Sequence, residues 1–151
     1  FGAPKPFYYF NDDDKTAGSY VDDWFTLGDL GWRDEHGYFY IADRRSNLII
    51  SGGVNIYPAE VEGVLLEHSA VADVAVIGLD DKEWGKRVHA IVQPVVEDID
   101  RIDLVEDLLG FARTRLAKFK IPRSVEIVPS LPRFDSGKLY LNRLAPSEHD
   151  R

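Results

Sequence analysis

The chain has no cysteine and no methionine among its 151 residues. Without cysteine there is no disulfide, no thiolate metal site and no cysteine nucleophile, and a cytoplasmic location is the expectation. With no methionine and a first residue of Phe1, the sequence reads as a trimmed or excised piece. The four histidines, His36, His68, His89 and His149, fall at no metal-ligand spacing, and His68 reads as a packing or dipole partner at a helix end. No apolar run approaches the roughly 18 residues of a membrane span, nor does the N-terminus follow the basic-then-apolar order of a signal peptide, so a soluble protein is expected. Positive charge is also scarce: the formal net charge is -8, which repels nucleic acid and anionic lipid over most of the surface. No nucleic-acid-binding motif occurs.

What is present suffices for one sizeable core, at 44% hydrophobic and 12% aromatic residues. The basic residues are unevenly spread. Between Arg113 and Lys138 seven (Arg113, Arg115, Lys118, Lys120, Arg123, Arg133, Lys138) stand against two acidic ones, Glu126 and Asp135. This strip is either a solvated helix end and loop, with its bases complementing the helix dipole, or a landing surface for a phosphorylated small ligand.

Residues 1–26 are aromatic and acidic without helical or strand periodicity, and Asn11 to Asp14 reads as a turn cluster. Gly31 to Ile41 predicts a hairpin turning at Asp34 to Gly37, and Leu48 to Ile50 a short strand ended by Ser51-Gly52-Gly53. Pro58 occupies a first helical position, with Val61, Val64, Leu65 and His68 on one face. Val71–Leu79 and Val88–Val96 predict two buried strands joined by a polar segment, and Val125–Val128 a third. Between them a helix from about Asp103 to Lys118 carries the stripe Leu104, Leu108, Ala112, Leu116. Trp24, Trp32 and Trp84 read as core or edge packing. The expected class is α+β: a small three-stranded sheet flanked by helices, preceded by a hairpin and an extended piece of a larger domain. The predicted divisions are 1–43, a hinge at 44–48, a domain at 49–145 and a polar, frayed tail from Pro146.

Four motifs stand in order: Leu27-Gly28-Asp29; Tyr40-Ile41-Ala42-Asp43-Arg44-Arg45; Ser51-Gly52-Gly53-Val54-Asn55-Ile56-Tyr57-Pro58; and Pro132-Arg133-Phe134-Asp135-Ser136-Gly137-Lys138. In this register, over about residues 7 to 144, the chain resembles the C-terminal end of the adenylate-forming acyl-CoA synthetases, the fatty-acid–CoA ligases among them. The resemblance implies that a carboxylic acid is activated with MgATP to an acyl-adenylate and diphosphate, then passed to a thiol, usually that of coenzyme A. It implies that residues 1–43 are the end of a large N-terminal domain and that the remainder is a mobile lid.

By the same resemblance Lys138 bridges the substrate carboxylate and the α-phosphate. An ammonium between two anions offsets their repulsion; read alone, Lys138 is an exposed turn residue. Asp29 matches the aspartate that accepts from both ribose hydroxyls, or is a turn residue beside Gly28. Leu27 stands where threonine is commoner in the family, which shifts a phosphate contact without removing the ribose contact. Arg44 matches an arginine reaching the ribose, or pairs with Asp43 or Glu35. Ser46 takes the hinge position, where many members carry Asp or Lys. Asn55 matches a nucleotide-contacting position or serves a turn. Ser51, Gly52 and Gly53 line the pantetheine channel, or form a tight turn, and the part of the basic strip from Arg113 to Lys120 meets the phosphates of coenzyme A. The family's phosphate loop and acyl pocket lie in the N-terminal domain, so this chain alone is expected to be inactive, with its partner domain supplied in cis. ATP, Mg2+ and coenzyme A belong to the full-length enzyme, and none is required by the fragment. The alternatives are the lid of a luciferase-like or peptide-synthetase-like enzyme, or an α+β interaction module.

Overall fold

The computed structural model describes residues 7–96, 100–140 and 143–144. The polar tail expected from Pro146 lies outside them. Contacts divide the chain into two units, residues 1–46 and 47–151.

The first unit begins with structure where a turn cluster was expected. Asp12 accepts a hydrogen bond from the Lys15 N–H at 3.0 Å and caps a six-residue helix, α1 (Asp13–Gly18). A two-residue hairpin, β1 (Tyr20–Val21) and β2 (Trp24–Phe25), follows. The predicted second hairpin is present as β3 (Asp29–Arg33) and β4 (Phe39–Arg44), and the Asp34 carboxylate takes the N–H groups of His36 and Tyr38 to close its turn. Gly31 is required there, since a Cβ would lie 2.4 Å from the Tyr40 carbonyl oxygen.

The second unit is a five-stranded sheet with two helices on one face, larger than the three strands expected. Its elements are β5 (Ile49–Ser51), β6 (Val54–Ile56), α2 (Pro58–Leu66), β7 (Val71–Asp81), β8 (Gly85–Pro94), α3 (Arg101–Arg113) and β9 (Ser124–Ile127). The strand order is β6-β5-β8-β7, and β9 joins β8 in parallel. A parallel neighbour needs a long crossover, which α3 supplies. The extra strands arise because the Gly52-Gly53 turn, at φ 55° and 79°, folds β6 back on β5, and Ser51 then pairs with Gly85.

Strand alternation separates two faces. Val74, Val76, Val88, Ala90 and Val92 meet Val61 and Leu65 of α2 and Leu104, Leu108 and Ala112 of α3. Leu65 and Leu108 are fully buried, and each such side chain contributes roughly 1.5–3 kcal/mol. On the other face, Ala75 and Ile91 pack against Leu131, with Leu139 and Leu144 beside them. Helix α3 stops at Arg113 rather than Lys118, and a 3-10 turn over Lys118–Lys120 follows, yet Leu116 still reaches the core. None of the three tryptophans is in the core: Trp24 and Trp32 are exposed, Trp32 is stacked on Tyr40, and Trp84 is 38% exposed. Among the described residues no helix is long and apolar enough to cross a membrane.

Candidate functional site

In the first unit the β3–β4 register sets Asp29 directly opposite Arg44. Arg44 Nε lies 3.6 Å from Asp29 Oδ1, so Arg44 pairs with Asp29, and both present polar groups to solvent. Asp43 accepts from the Arg44 backbone N–H at 2.6 Å. Gly28, at φ 80°, takes the Arg45 N–H on its carbonyl at 2.7 Å. Its own N–H donates to Thr26 Oγ1 at 3.0 Å, while Leu27 is exposed. A threonine hydroxyl is thus present one residue before the position where the family commonly carries it. Ser46 lies in a 3-10 turn, Arg45–Asn47, at the border of the two units.

In the second unit the candidates fall in two places. One is an open groove of about 940 Å³ beside the helix-bearing face, lined by Ser51, Gly52, Trp84, Leu116 and Phe119 among others, with Arg113, Lys118 and Arg123 contributing charge. The Arg123 guanidinium lies 4.7 Å from the Trp84 ring centroid. Lys120 and Arg115, also in the strip, have protein partners. Lys120 Nζ holds both carboxylate oxygens of Glu60, and Arg115 stacks 3.5 Å from the Phe111 ring centroid with Glu67 nearby. Only part of the strip therefore faces the groove. Gly53 and Asn55 are exposed and do not line it.

Lys138 is elsewhere, on the loop that packs against the opposite face. The Gly137 N–H donates to the Phe134 carbonyl and the Phe134 N–H to the Lys138 carbonyl, both at 2.8 Å, with Gly137 at φ 80°. This is a hairpin with a three-residue loop whose last member must be left-handed, hence glycine. Lys138 follows it, exposed.

Trp84 and Asp73 were not singled out as site residues in the sequence, and Arg123 was marked only as a member of the basic strip. Each acquires its place through contacts with residues tens of positions away. His68, as expected, is a packing residue: its Nε2 lies 3.1 Å from Asp107 Oδ2 and its ring stands edge-on to Phe111. His89 is buried on β8, with Nδ1 2.8 Å from Ser124 Oγ and Nε2 3.6 Å from Glu126. Burial pushes its pKa down, against the opposing pull of Glu126. Among the described residues no group of three or more histidine, cysteine, aspartate or glutamate side chains gathers as a metal site.

A β8–α3–β9 crossover behind a glycine-turned β5–β6 hairpin, with the Lys138 hairpin on the far face, makes a small α+β domain. Residues 60–138 match the AMP-binding enzyme C-terminal domain, and the chain belongs to that family. It is 47% identical over 136 residues to a 2-succinylbenzoate–CoA ligase of Bacillus velezensis, covering 90% of this chain and 27% of that enzyme. It is 43% identical over 140 residues to a long-chain-fatty-acid–CoA ligase of Bacillus subtilis, covering 93% and 24%. The crystal structure of o-succinylbenzoate CoA synthetase from Bacillus subtilis with its acyl-adenylate intermediate superposes with a TM-score of 0.77 at 45% identity, over 92% of this chain and 28% of that one. The chain thus spans about a quarter of the length of the curated relatives it matches.

Proposed function

We propose that this chain is the C-terminal part of an ATP-dependent acyl-CoA synthetase. A carboxylate oxygen attacks the α-phosphorus of ATP, the bond to diphosphate breaks, and the thiol sulfur of coenzyme A then attacks the acyl carbon and displaces AMP. The observation that carries this reading is the placement of Lys138 and the Gly52 groove on opposite faces of one sheet. An active centre in the adjoining large domain meets one face at a time, so two half-reactions require the second unit to turn between them. The turn is assigned to the hinge at Ser46, within residues 44–48, with 1–43 belonging to the large domain and 49–145 forming the lid.

In the first orientation Lys138 lies between the acid and the α-phosphate, where its charge offsets the approach of two anions. Asp29 accepts from the ribose hydroxyls, and Arg44, paired with it, reaches the same sugar. Asn55, exposed on β6, is a nucleotide contact. In the second orientation Ser51, Gly52 and Gly53 leave room for the pantetheine arm, and Arg113, Lys118 and Arg123 face the phosphates of coenzyme A. That basic rim favours coenzyme A over the carrier-bound or oxidative second steps of peptide-synthetase-like and luciferase-like relatives. Among the described residues no group of three or more His, Cys, Asp or Glu side chains could hold Mg2+.

Enzymes named for 2-succinylbenzoate and for long-chain fatty acids share this piece at 47% and 43% identity. The acid is therefore chosen by residues outside it, and the isolated chain lacks synthetase activity. A cytoplasmic location, where ATP and coenzyme A are both at hand, is part of this reading. The test is the full-length parent with Lys138→Ala, assayed for carboxylate-dependent diphosphate release and separately for thioester formation from a supplied acyl-adenylate. Loss of the first with retention of the second is expected; unchanged diphosphate release would remove Lys138 from the site.

A further inference from the structure

The loop that carries Lys138 is a hairpin of minimal length, bridged at Arg133 and Leu139. So short a hairpin does not hold its shape unaided. Leu131 and Leu139 seat it on the sheet, and the Leu131 N–H donates to Gln93 Oε1 at 3.1 Å. The polar anchor is one guanidinium. Arg133 Nε and Nη2 donate to Asp73 Oδ2 and Oδ1 at 2.6 and 2.7 Å, and Nη1 donates to the Gly137 carbonyl at 2.8 Å. That carbonyl belongs to the peptide immediately preceding Lys138. The Asp73 carboxylate is itself oriented by the Val74 N–H at 2.9 Å, near the start of β7, beside the register irregularity between Val71 and Asp73.

We propose that Arg133, gripped by Asp73, is a positioning residue that fixes where Lys138 projects during adenylation. This rests on the assignment of Lys138 to that half-reaction. The planar fork joins a rigid strand to the backbone beside the reacting group through three separate nitrogens. A lysine at 133 would keep the charge but has a single nitrogen that cannot span the carboxylate and the carbonyl together.

The experiment compares Arg133→Ala, Arg133→Lys, Asp73→Asn and Lys138→Ala in the full-length parent, measuring both half-reactions. Loss of the fork is expected to lower kcat for diphosphate release on the order of 100-fold, the scale of a misplacement near 1 Å. KM for ATP should stay within about twofold, because the ribose contacts lie on the other unit, and thioester formation from a supplied acyl-adenylate should persist. Arg133→Lys, the variant least disturbing to the fold, should show the same half-reaction split. If both half-reactions fall together in every variant, the pair holds the fold and the proposal is overturned. It is equally overturned if Lys138→Ala abolishes diphosphate release while Arg133→Lys and Asp73→Asn leave it intact. If Lys138→Ala itself spares diphosphate release, the assignment of Lys138 fails first and the positioning role goes with it.

Discussion

Gly52 lies against the indole of Trp84 so closely that a Cβ there would fall 2.6 Å from Trp84 Cε3. Its N–H donates to the Trp84 carbonyl at 2.8 Å, and its φ is +55°. Gly52→Ala therefore meets two penalties, a left-handed backbone costing about 1–2 kcal/mol and an aromatic ring that must move. The ring carries Arg123 on its face, so the basic rim of the groove moves with it. Urea unfolding of the 151-residue chain should show a loss of at least about 1–2 kcal/mol, the backbone contribution alone. In the full-length parent the KM for coenzyme A should rise roughly tenfold with diphosphate release unchanged, as a loss of binding confined to one half-reaction predicts.

Much of this arrangement was legible in the sequence because it follows repeating patterns. The β-branched runs at Val71 and Val88, the four-residue spacing from Leu104 to Leu116 and Pro58 at a helix start all declare their elements locally. What was not legible depends on distance. Strand β5 was expected as a short strand over Leu48 to Ile50, but β6, three residues long, is too short to show a period and is a strand because it folds back on β5. Helix α1 was hidden in an acidic cluster that is equally good turn chemistry until Asp12 is seen capping it. Glycine at 137 announces a special backbone. The Arg133–Asp73 pair that anchors its loop spans sixty positions and leaves no local mark. The basic strip was visible as composition, but its division into groove-facing residues and residues held by Glu60, Glu67 and Phe111 was not.

Helix α3 depends on its first turn. Asp100 Oδ1 accepts from the N–H groups of Ile102 and Asp103 at 2.8 and 3.2 Å, satisfying two donors that the helix leaves open. The negative charge also suits that end of the dipole. Asp100→Ala should destabilise the chain by about 1 kcal/mol, whereas Asp100→Asn should lose only a few tenths. Urea unfolding measures the first difference. Amide exchange at Ile102 and Asp103, accelerated in the alanine variant alone, places the effect at the cap.

His89 and Asp73 each contribute to the pH dependence of stability, and their windows do not coincide. Burial lowers the pKa of His89 from its ordinary value near 6.5. The unfolded chain therefore binds a proton that the folded chain refuses, and stability present above about pH 6.5 declines as pH falls toward the folded-state value. Asp73 is lowered from 3.8, chiefly by the hydrogen bonds from Arg133. Its contribution is intact above its unfolded pKa and is lost as pH falls through the depressed folded-state value. Stability of the 151-residue chain measured by urea unfolding across pH should thus decline in two steps on acidification, one beginning near neutrality and one below about pH 4. His89→Gln should flatten the upper step and leave the lower one; Asp73→Asn should reduce the lower step, to which Asp81, lowered by the N–H groups of Trp84 and Glu83, also contributes, and leave the upper one. An upper step that survives His89→Gln unchanged would assign it to another group and return His89 to the status of a neutral packing residue.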